Sequence, residues 1–207
     1  FLKEIKIFEL DNFVENFLFE ESIIKRLDKL RIIYLSNLMT EKGVFDLLDS
    51  LKILNENNIE FEAKIAGGID ASVEEEIKKK LNNMPNCVDY LGLVHGKEKK
   101  KLLEWGNVFV FPTYYSMEGQ PISIFEAMAT GNIILTTEHA GIPDVFKDEI
   151  NGFYIEKKSP NLIATKLQMM AGNMNEYIKI CNRNTEEASE KYRVNTFINK
   201  LHIILNE

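Results

Sequence analysis

The sequence predicts an α/β fold, a doubly wound parallel sheet with helices on both faces. Short β-branched runs alternate with longer amphipathic segments along most of the chain. Runs such as Val108-Phe-Val-Phe111 are apolar at every position, as strands covered on both faces must be. At 207 residues the chain holds one large domain or two small ones, with ample length for a buried core.

Arg31–Ser36 reads as the first strand. Gly43–Leu54 follows as a helix, because Val44, Leu47, Leu48, Leu51 and Leu54 recur at helical spacing. Glu62–Ala66 is the second strand, ended by Gly67-Gly68, and Ser72 reads as the N-cap of a helix over Val73–Leu81. On that helix Glu74, Glu75 and Glu76 each precede a lysine by four residues, the favourable ion-pair order. Strand Val88–Leu91 leads to helix Lys97–Trp105, and strand Val108–Phe111 to helix Pro121–Ala129, which Gly131 closes. Strand Ile133–Thr136 leads to a short helix around Pro143–Phe146, and Asn151-Gly152 turns into strand Gly152–Ile155. Ser159-Pro160 has the form of an N-cap with proline at the first helical position. Helices fill the remainder, ending with Val194–Leu205, whose stripe is Phe197, Leu201, Ile204 and Leu205. Phe1–Leu10 could form a strand and Glu20–Leu30 a helical turn or two, but both read more as a linker. The pattern as a whole is Rossmann-like.

Composition narrows the function. The chain is 45% hydrophobic and 28% charged, with a net charge of −7 that argues against a general nucleic-acid surface or an anionic-membrane surface. Cys87 and Cys181 form no CxxC motif and no disulfide framework, which points to a reducing, cytoplasmic compartment. The chain opens Phe-Leu-Lys-Glu without a secretory pattern, and its longest uncharged run, Trp105–Met117, is too short to span a bilayer. A start at Phe1 reads as processing or as a piece of something longer. There is no DxD, GxxxxGK[ST], GxGxxG or HExxH, so dinucleotide redox chemistry and P-loop phosphoryl transfer are disfavoured and no metal is expected.

Ligands of such folds bind beyond the carboxyl ends of the strands. The loops there are Asn37–Lys42, Gly67–Ala71, Gly92–Gly96, Pro112–Pro121 and Thr137–Pro143. The densest is Pro112–Pro121, which carries Glu118 just before a helix that bears Glu126. Gly119 permits close backbone approach, and the amides of Ile122 and Ser123 sit at a helix N-terminus that attracts phosphate. Taken alone, Glu118 reads as a solvated loop carboxylate and Glu126 as one paired with a nearby cation. His95 reads first as a solvated loop histidine and otherwise as a helper cation, His139 as a loop residue or one that reaches a bound ligand, Cys87 as a small buried residue, and Trp105 and Met169-Met170 as core.

The whole segment says more. Glu118 and Glu126, with seven residues between them and followed by Ala127-Met-Ala-Thr-Gly131, resemble the signature of the family 4 retaining glycosyltransferases of GT-B architecture. Gly141-Ile-Pro-Asp144 and Asp148–Tyr154 resemble that family's next motif, and Tyr34–Gly43, Ile65–Gly68 and Val88–Val94 fall in the family's order. The resemblance covers about residues 30 to 190.

The resemblance implies one half of a GT-B fold, the nucleotide-sugar donor-binding domain at 31–190. Residues 1–30 would be the interdomain lead-in, and 191–207 a C-terminal helix packing toward a missing N-terminal acceptor domain. Glu118 would be the catalytic carboxylate beside the donor sugar, and Glu126 would accept hydrogen bonds from the ribose hydroxyls. Lys42 and Gly43, with Ser36 and Asn37, would face the diphosphate, and Gly119, Gln120, Pro121, Ile122 and Ser123 would hold sugar and phosphate. Gly67, Leu93 and Val94 would lie near the base. The family commonly has Gly-Arg where this chain has Ser36-Asn37, which removes one diphosphate cation and leaves Lys42.

The expected reaction transfers a hexose from a nucleoside diphosphate, UDP foremost, to an acceptor hydroxyl with retention. It needs no cofactor or metal, and it serves glycan, polysaccharide or glycolipid synthesis. A glycan or lipid-linked acceptor, and any peripheral contact at the inner membrane face, would belong to the missing domain. The alternatives are a non-catalytic nucleotide-sugar-binding module and another GT-B enzyme such as a sugar-nucleotide epimerase.

Overall fold

A computed structural model describes residues 6–20 and 24–206. Six strands form one all-parallel sheet: β1 (Leu30–Leu35), β2 (Phe61–Ala66), β3 (Val88–Tyr90), β4 (Val108–Phe111), β5 (Ile133–Thr136) and β6 (Gly152–Tyr154). Their order is β3-β2-β1-β4-β5-β6. Seven helices connect and follow them: α1 (Val44–Glu56), α2 (Glu74–Asn82), α3 (Gly96–Trp105), α4 (Ile122–Ala129), α5 (Pro160–Ala171), α6 (Ile178–Lys191) and α7 (Val194–Asn206). The doubly wound α/β fold that the sequence predicts is the fold observed.

Strands β4 and β5 are buried at every position and β1 at all but its last, whereas edge strand β3 is half-buried to exposed. Apolar runs thus fall where both faces are covered. The chain steps from β1 to β2 in one direction and from β4 to β5 in the other. Right-handed crossovers therefore place α1 and α4 on opposite faces. Accordingly α1 packs on α5 and α2, while α4 packs on α6. Tyr34, Phe109, Phe111, Phe125 and Phe146 are the largest fully buried side chains of the core.

Three local expectations change. Ser72 is not a helix cap: the Asp70 carboxylate takes the Ser72 amide and caps a 3-10 turn over Ala71–Val73, leaving α2 to begin at Glu74 without a side-chain cap. Of the three Glu–Lys pairs on α2, Glu74–Lys78 closes, whereas Lys80 turns away to Asp49 on α1. The short helix near Pro143 is a 3-10 turn over Ile142–Asp144. Gly131, by contrast, ends α4 as expected, with φ +70° and its amide on the Met128 carbonyl.

The stretch that reads as a linker packs on the domain at some points, while residues 6–9 are exposed; residues 1–5 and 21–23, and with them parts of the expected strand and helical turn, lie outside the described residues. Val14 pairs with Arg193 just before α7, Val14 and Leu18 are fully buried, and Phe13 packs against Phe197 of α7. A 3-10 turn over Asn16–Phe19 takes the place of the helical turn anticipated further on. On α7 no residue is fully buried, and Ile198, Ile203 and Leu205 are exposed. No helix among the described residues is long and apolar enough to cross a membrane.

The amino edge of the sheet is fastened by buried polar groups. Asn107, Asn132 and Asn151 stand immediately before β4, β5 and β6, and all three are fully buried. Asn107 accepts from the Arg31 amide at 2.9 Å and donates to the carbonyls of Arg26 and Lys29. Asn184 of α6 donates to the carbonyls of Asn132 and Asn151, at 2.7 and 2.8 Å. Lys25 reaches into this edge, and its ammonium donates to the carbonyls of Leu103 and Gly106, at 2.6 and 2.5 Å, and to Asn132 Oδ1. These carbonyls end α3, where a cation is favoured.

Burial nevertheless pushes the Lys25 pKa down to about 7 from 10.5. Between those values the unfolded chain holds a proton that the folded chain lacks, so this group makes stability rise with pH across that window. Urea unfolding at pH 7, 8 and 9 will therefore show the parent gaining on Lys25→Met by up to about 1.4 kcal/mol per pH unit. Parallel stability curves for the two proteins would contradict this.

Candidate functional site

The strand order reverses between β1 and β4, so the loops leaving these neighbouring strands diverge and open a crevice at the carboxyl edge. Tyr34, fully buried in β1, donates through its hydroxyl to the Asn37 carbonyl at 3.1 Å and fixes the start of the first loop. The loop then turns through Thr40–Lys42 to Gly43, whose φ is +75°. A Cβ on Gly43 would stand 2.3 Å from the Pro112 carbonyl oxygen, so only glycine lets the two loops meet there. The Glu41 carbonyl accepts from the Tyr114 amide at 2.7 Å.

These backbone contacts bring Lys42 to Glu118. The ammonium and Glu118 Oε2 are 2.7 Å apart, with the side chains 15% and 7% exposed. The Thr113 hydroxyl donates to the same Oε2 at 3.0 Å, and the Tyr115 ring lies under the ammonium at 4.7 Å. Glu118 is thus a buried, paired carboxylate, not the solvated loop group that its neighbours alone imply. At the end of this loop α4 begins after Pro121 with no side-chain cap, leaving the N-terminal turn at Ile122 and Ser123 to a ligand or solvent. Ile122 is exposed and Ser123 half-buried at that turn.

Gly119 is open, and a Cβ on Gly141 would lie 2.7 Å from its carbonyl oxygen, so the loop after β5 closes against it. His139 of that loop faces the Tyr115 carbonyl with Nε2 and the Lys157 ammonium with Nδ1, each at 2.9 Å. A carbonyl only accepts and an ammonium only donates, so Nε2 carries the ring hydrogen. Gln120 is held by the leading segment: the Asn12 amide donates to its Oε1 and the Asn12 side chain to its carbonyl, both at 3.0 Å.

Toward the sheet's other half, Ser36 joins β2 through its amide on the Ala66 carbonyl. A Cβ on Gly67 would fall 1.8 Å from the Ser36 oxygen, which makes this close approach specific to glycine. Leu93 is 64% exposed beside Gly68, and Val94 is nearly buried. Asn37 is exposed, as is His95.

Glu126 is separate from the Lys42–Glu118 pair. It lies buried on α4 and binds Lys99 of α3, whose ammonium also reaches Glu15 Oε2 at 3.2 Å. Burial pushes the Glu126 carboxyl above its ordinary range, and Lys99 only partly restores it. Burial opposes the Lys99 charge too, but the bonds to Glu126 and Glu15 outweigh it and its pKa rises. The apolar run around Glu126 signals in the sequence that a cation must be near. It does not signal which one, because Lys99 sits in a lysine-rich stretch that reads as a solvated face. Thr113, Tyr115 and Asn12 carry no such signal.

A family model described as glycosyl transferases group 1 matches residues 17–188. Among curated relatives, the amylovoran biosynthesis glycosyltransferase AmsK of Erwinia amylovora is 27% identical over 52% of this chain and 27% of its own. The chain spans about a quarter of the length of the curated relatives it matches. A mutant of S. aureus TarM, solved with fondaparinux, alpha-GlcNAc-glycerol and UDP, superposes with a TM-score of 0.82 at 22% identity, over 99% of this chain and 41% of TarM. HepE of Anabaena, solved with UDP and glucose, gives 0.73 at 17% identity over 86% of this chain and 48% of HepE. The likeness to these two GT-B structures is one of fold, and the family match over most of the chain identifies the protein: it belongs to the glycosyl transferases group 1.

Proposed function

We propose that the crevice between the ends of β1 and β4 binds a nucleoside diphosphate sugar, and that the chain is the donor-binding half of a retaining hexosyltransferase. The observation that carries this reading is the Lys42–Glu118 pair across the crevice, beside the uncapped N-terminus of α4. A diphosphate entering there meets an ammonium and a helix N-terminus, both of which stabilise negative charge. As the sugar departs, charge grows on the diphosphate, and Lys42 is positioned to stabilise it. Glu118, with Oε2 held by Lys42 and Thr113, would orient the donor sugar through its remaining oxygen. Glu126 would take the ribose diol, and Leu93 beside Gly68 would offer a shelf to the base. The solved relatives containing UDP or UDP and glucose favour UDP as carrier.

Retention rests on the resemblance of the Glu118–Glu126 segment to the family 4 signature. A role in polysaccharide synthesis rests on relatives such as AmsK. In this reading Lys42 and backbone amides hold the diphosphate without a metal, and an acceptor glycan or lipid would be presented by a further domain. The work would be done in the cytoplasm or at the inner membrane face.

Calorimetric titration with UDP, GDP and ADP tests the reading. One of them, UDP foremost, will bind the parent, and Glu126→Ala will weaken it about tenfold or more. No binding by any, with Glu126→Ala indistinguishable from the parent, would sink it. Lys42→Met will cost about ten- to hundredfold in diphosphate affinity while leaving the free nucleoside's weaker binding within about twofold. Equal losses for nucleoside and diphosphate would remove Lys42 from the phosphate site.

A further inference from the structure

The sequence-derived site contains no partner for Glu126, and the structure supplies one in Lys99. Lys99 lies in the first turn of α3 and Glu126 one turn into α4, and both helices start at the carboxyl edge of the sheet. Lys99 spends its hydrogen bonds on two carboxylates, Glu126 Oε1 and Glu15 Oε2, and its ammonium lies 5.9 Å from the Phe17 ring. Among the described residues no hydrogen bond reaches the second Glu126 oxygen, and the Glu126 side chain keeps 6% exposure.

Helix stability does not explain this lysine. The positive end of the α3 dipole disfavours a cation near its start, and Lys97, Lys100 and Lys101 crowd the same stretch with like charge. Nor does it serve as a solvated face, since its side chain is 17% exposed and its charge is directed inward. A carboxylate that must remain ionised while largely buried needs such a partner, because burial alone favours the neutral acid.

We infer that Lys99, anchored on its far side by Glu15, is a positioning residue that holds Glu126 ionised and turned so that its free oxygen accepts the hydroxyls of a ribose. The inference rests on the reading of this crevice as a nucleotide site. A protonated Glu126 would offer a donor and fewer acceptor positions to a vicinal diol, which presents hydrogens. Glu15 matters because an ammonium held from one side only can swing away, whereas one held between two carboxylates has a single position. Selectivity for ribose over deoxyribose thereby depends on a helix and a leading segment that touch no part of the ligand.

The test uses whichever of UDP, GDP and ADP the parent binds most tightly, together with its 2′-deoxy counterpart. The parent will prefer the ribonucleotide by about tenfold, the worth of one well-made hydrogen bond to a charged acceptor. Lys99→Met will bring that ratio to about unity while the deoxynucleotide affinity moves less than about threefold, and Lys99→Arg will restore most of the preference. Glu15→Gln, at a 57% exposed position that the fold tolerates, will lower the ratio in the same direction without removing the lysine. A ratio unchanged in both Lys99→Met and Glu15→Gln would overturn the inference while leaving the nucleotide site standing. A parent that binds nucleotide with no preference for ribose would overturn it as well. A parent that binds none of the three would overturn the nucleotide reading itself, and this inference with it.

Discussion

The Lys42–Glu118 ion pair can exist only because two loops from neighbouring strands are held together independently of it. Two charges with side chains 15% and 7% exposed have surrendered most of their hydration, which costs several kcal/mol per ion before their attraction is counted. The attraction compensates only at good geometry, and the backbone provides that geometry. Gly43 packs on Pro112, the Glu41 carbonyl takes the Tyr114 amide from the opposite loop, and Tyr34 pins the first loop from below. The reversal of strand order opens the crevice, these contacts set its width, and the charges then meet across it. In the proposed reading a nucleoside diphosphate would meet Lys42 in a site already largely desolvated, with Glu118 still held by Lys42 and Thr113.

The two edges of the sheet divide the work. At the amino edge, Asn107, Asn132, Asn151 and Asn184 satisfy one another and the chain ends around them, and Lys25 caps α3 from the leading segment. These four asparagines are fully buried, so they fix the spacing of β4, β5 and β6 at this edge. At the carboxyl edge the polar groups are left partly open: the α4 N-terminus has no cap, one oxygen of Glu126 has no partner among the described residues, and Gly119 is unobstructed. A rigid base beneath an unsatisfied rim is the arrangement expected of a ligand site on this kind of sheet.

Periodicity alone made the sheet and helices legible, because β4 and β5 are apolar throughout and α1 repeats its leucines at helical spacing. The glutamates and Lys42 were legible as well, through their order along the chain. Most of what stayed hidden involves partners far apart in sequence. Lys25 sits in a stretch that reads as a linker, yet its bonds go to carbonyls 78 and 81 residues away. Lys99 belongs to a run of lysines, and only the placement of α3 beside α4 separates it from its neighbours. Ser72 failed as a cap because Asp70, two residues earlier, takes both its amide and its hydroxyl and starts a 3-10 turn that places Ser72 inside it. Each of these outcomes depends on distance or competition that a local pattern does not encode.

If the proposed reading holds, a nucleotide sugar binds at the carboxyl edge between β1 and β4. Amide-resolved NMR during titration with UDP-glucose will then show shifts concentrated at residues 36–43, 67–68, 93–94 and 118–126, with the side-chain amides of Asn107, Asn132, Asn151 and Asn184 unmoved. Shifts centred on those asparagines, or a saturable change that bypasses 36–43 and 118–126, would contradict it.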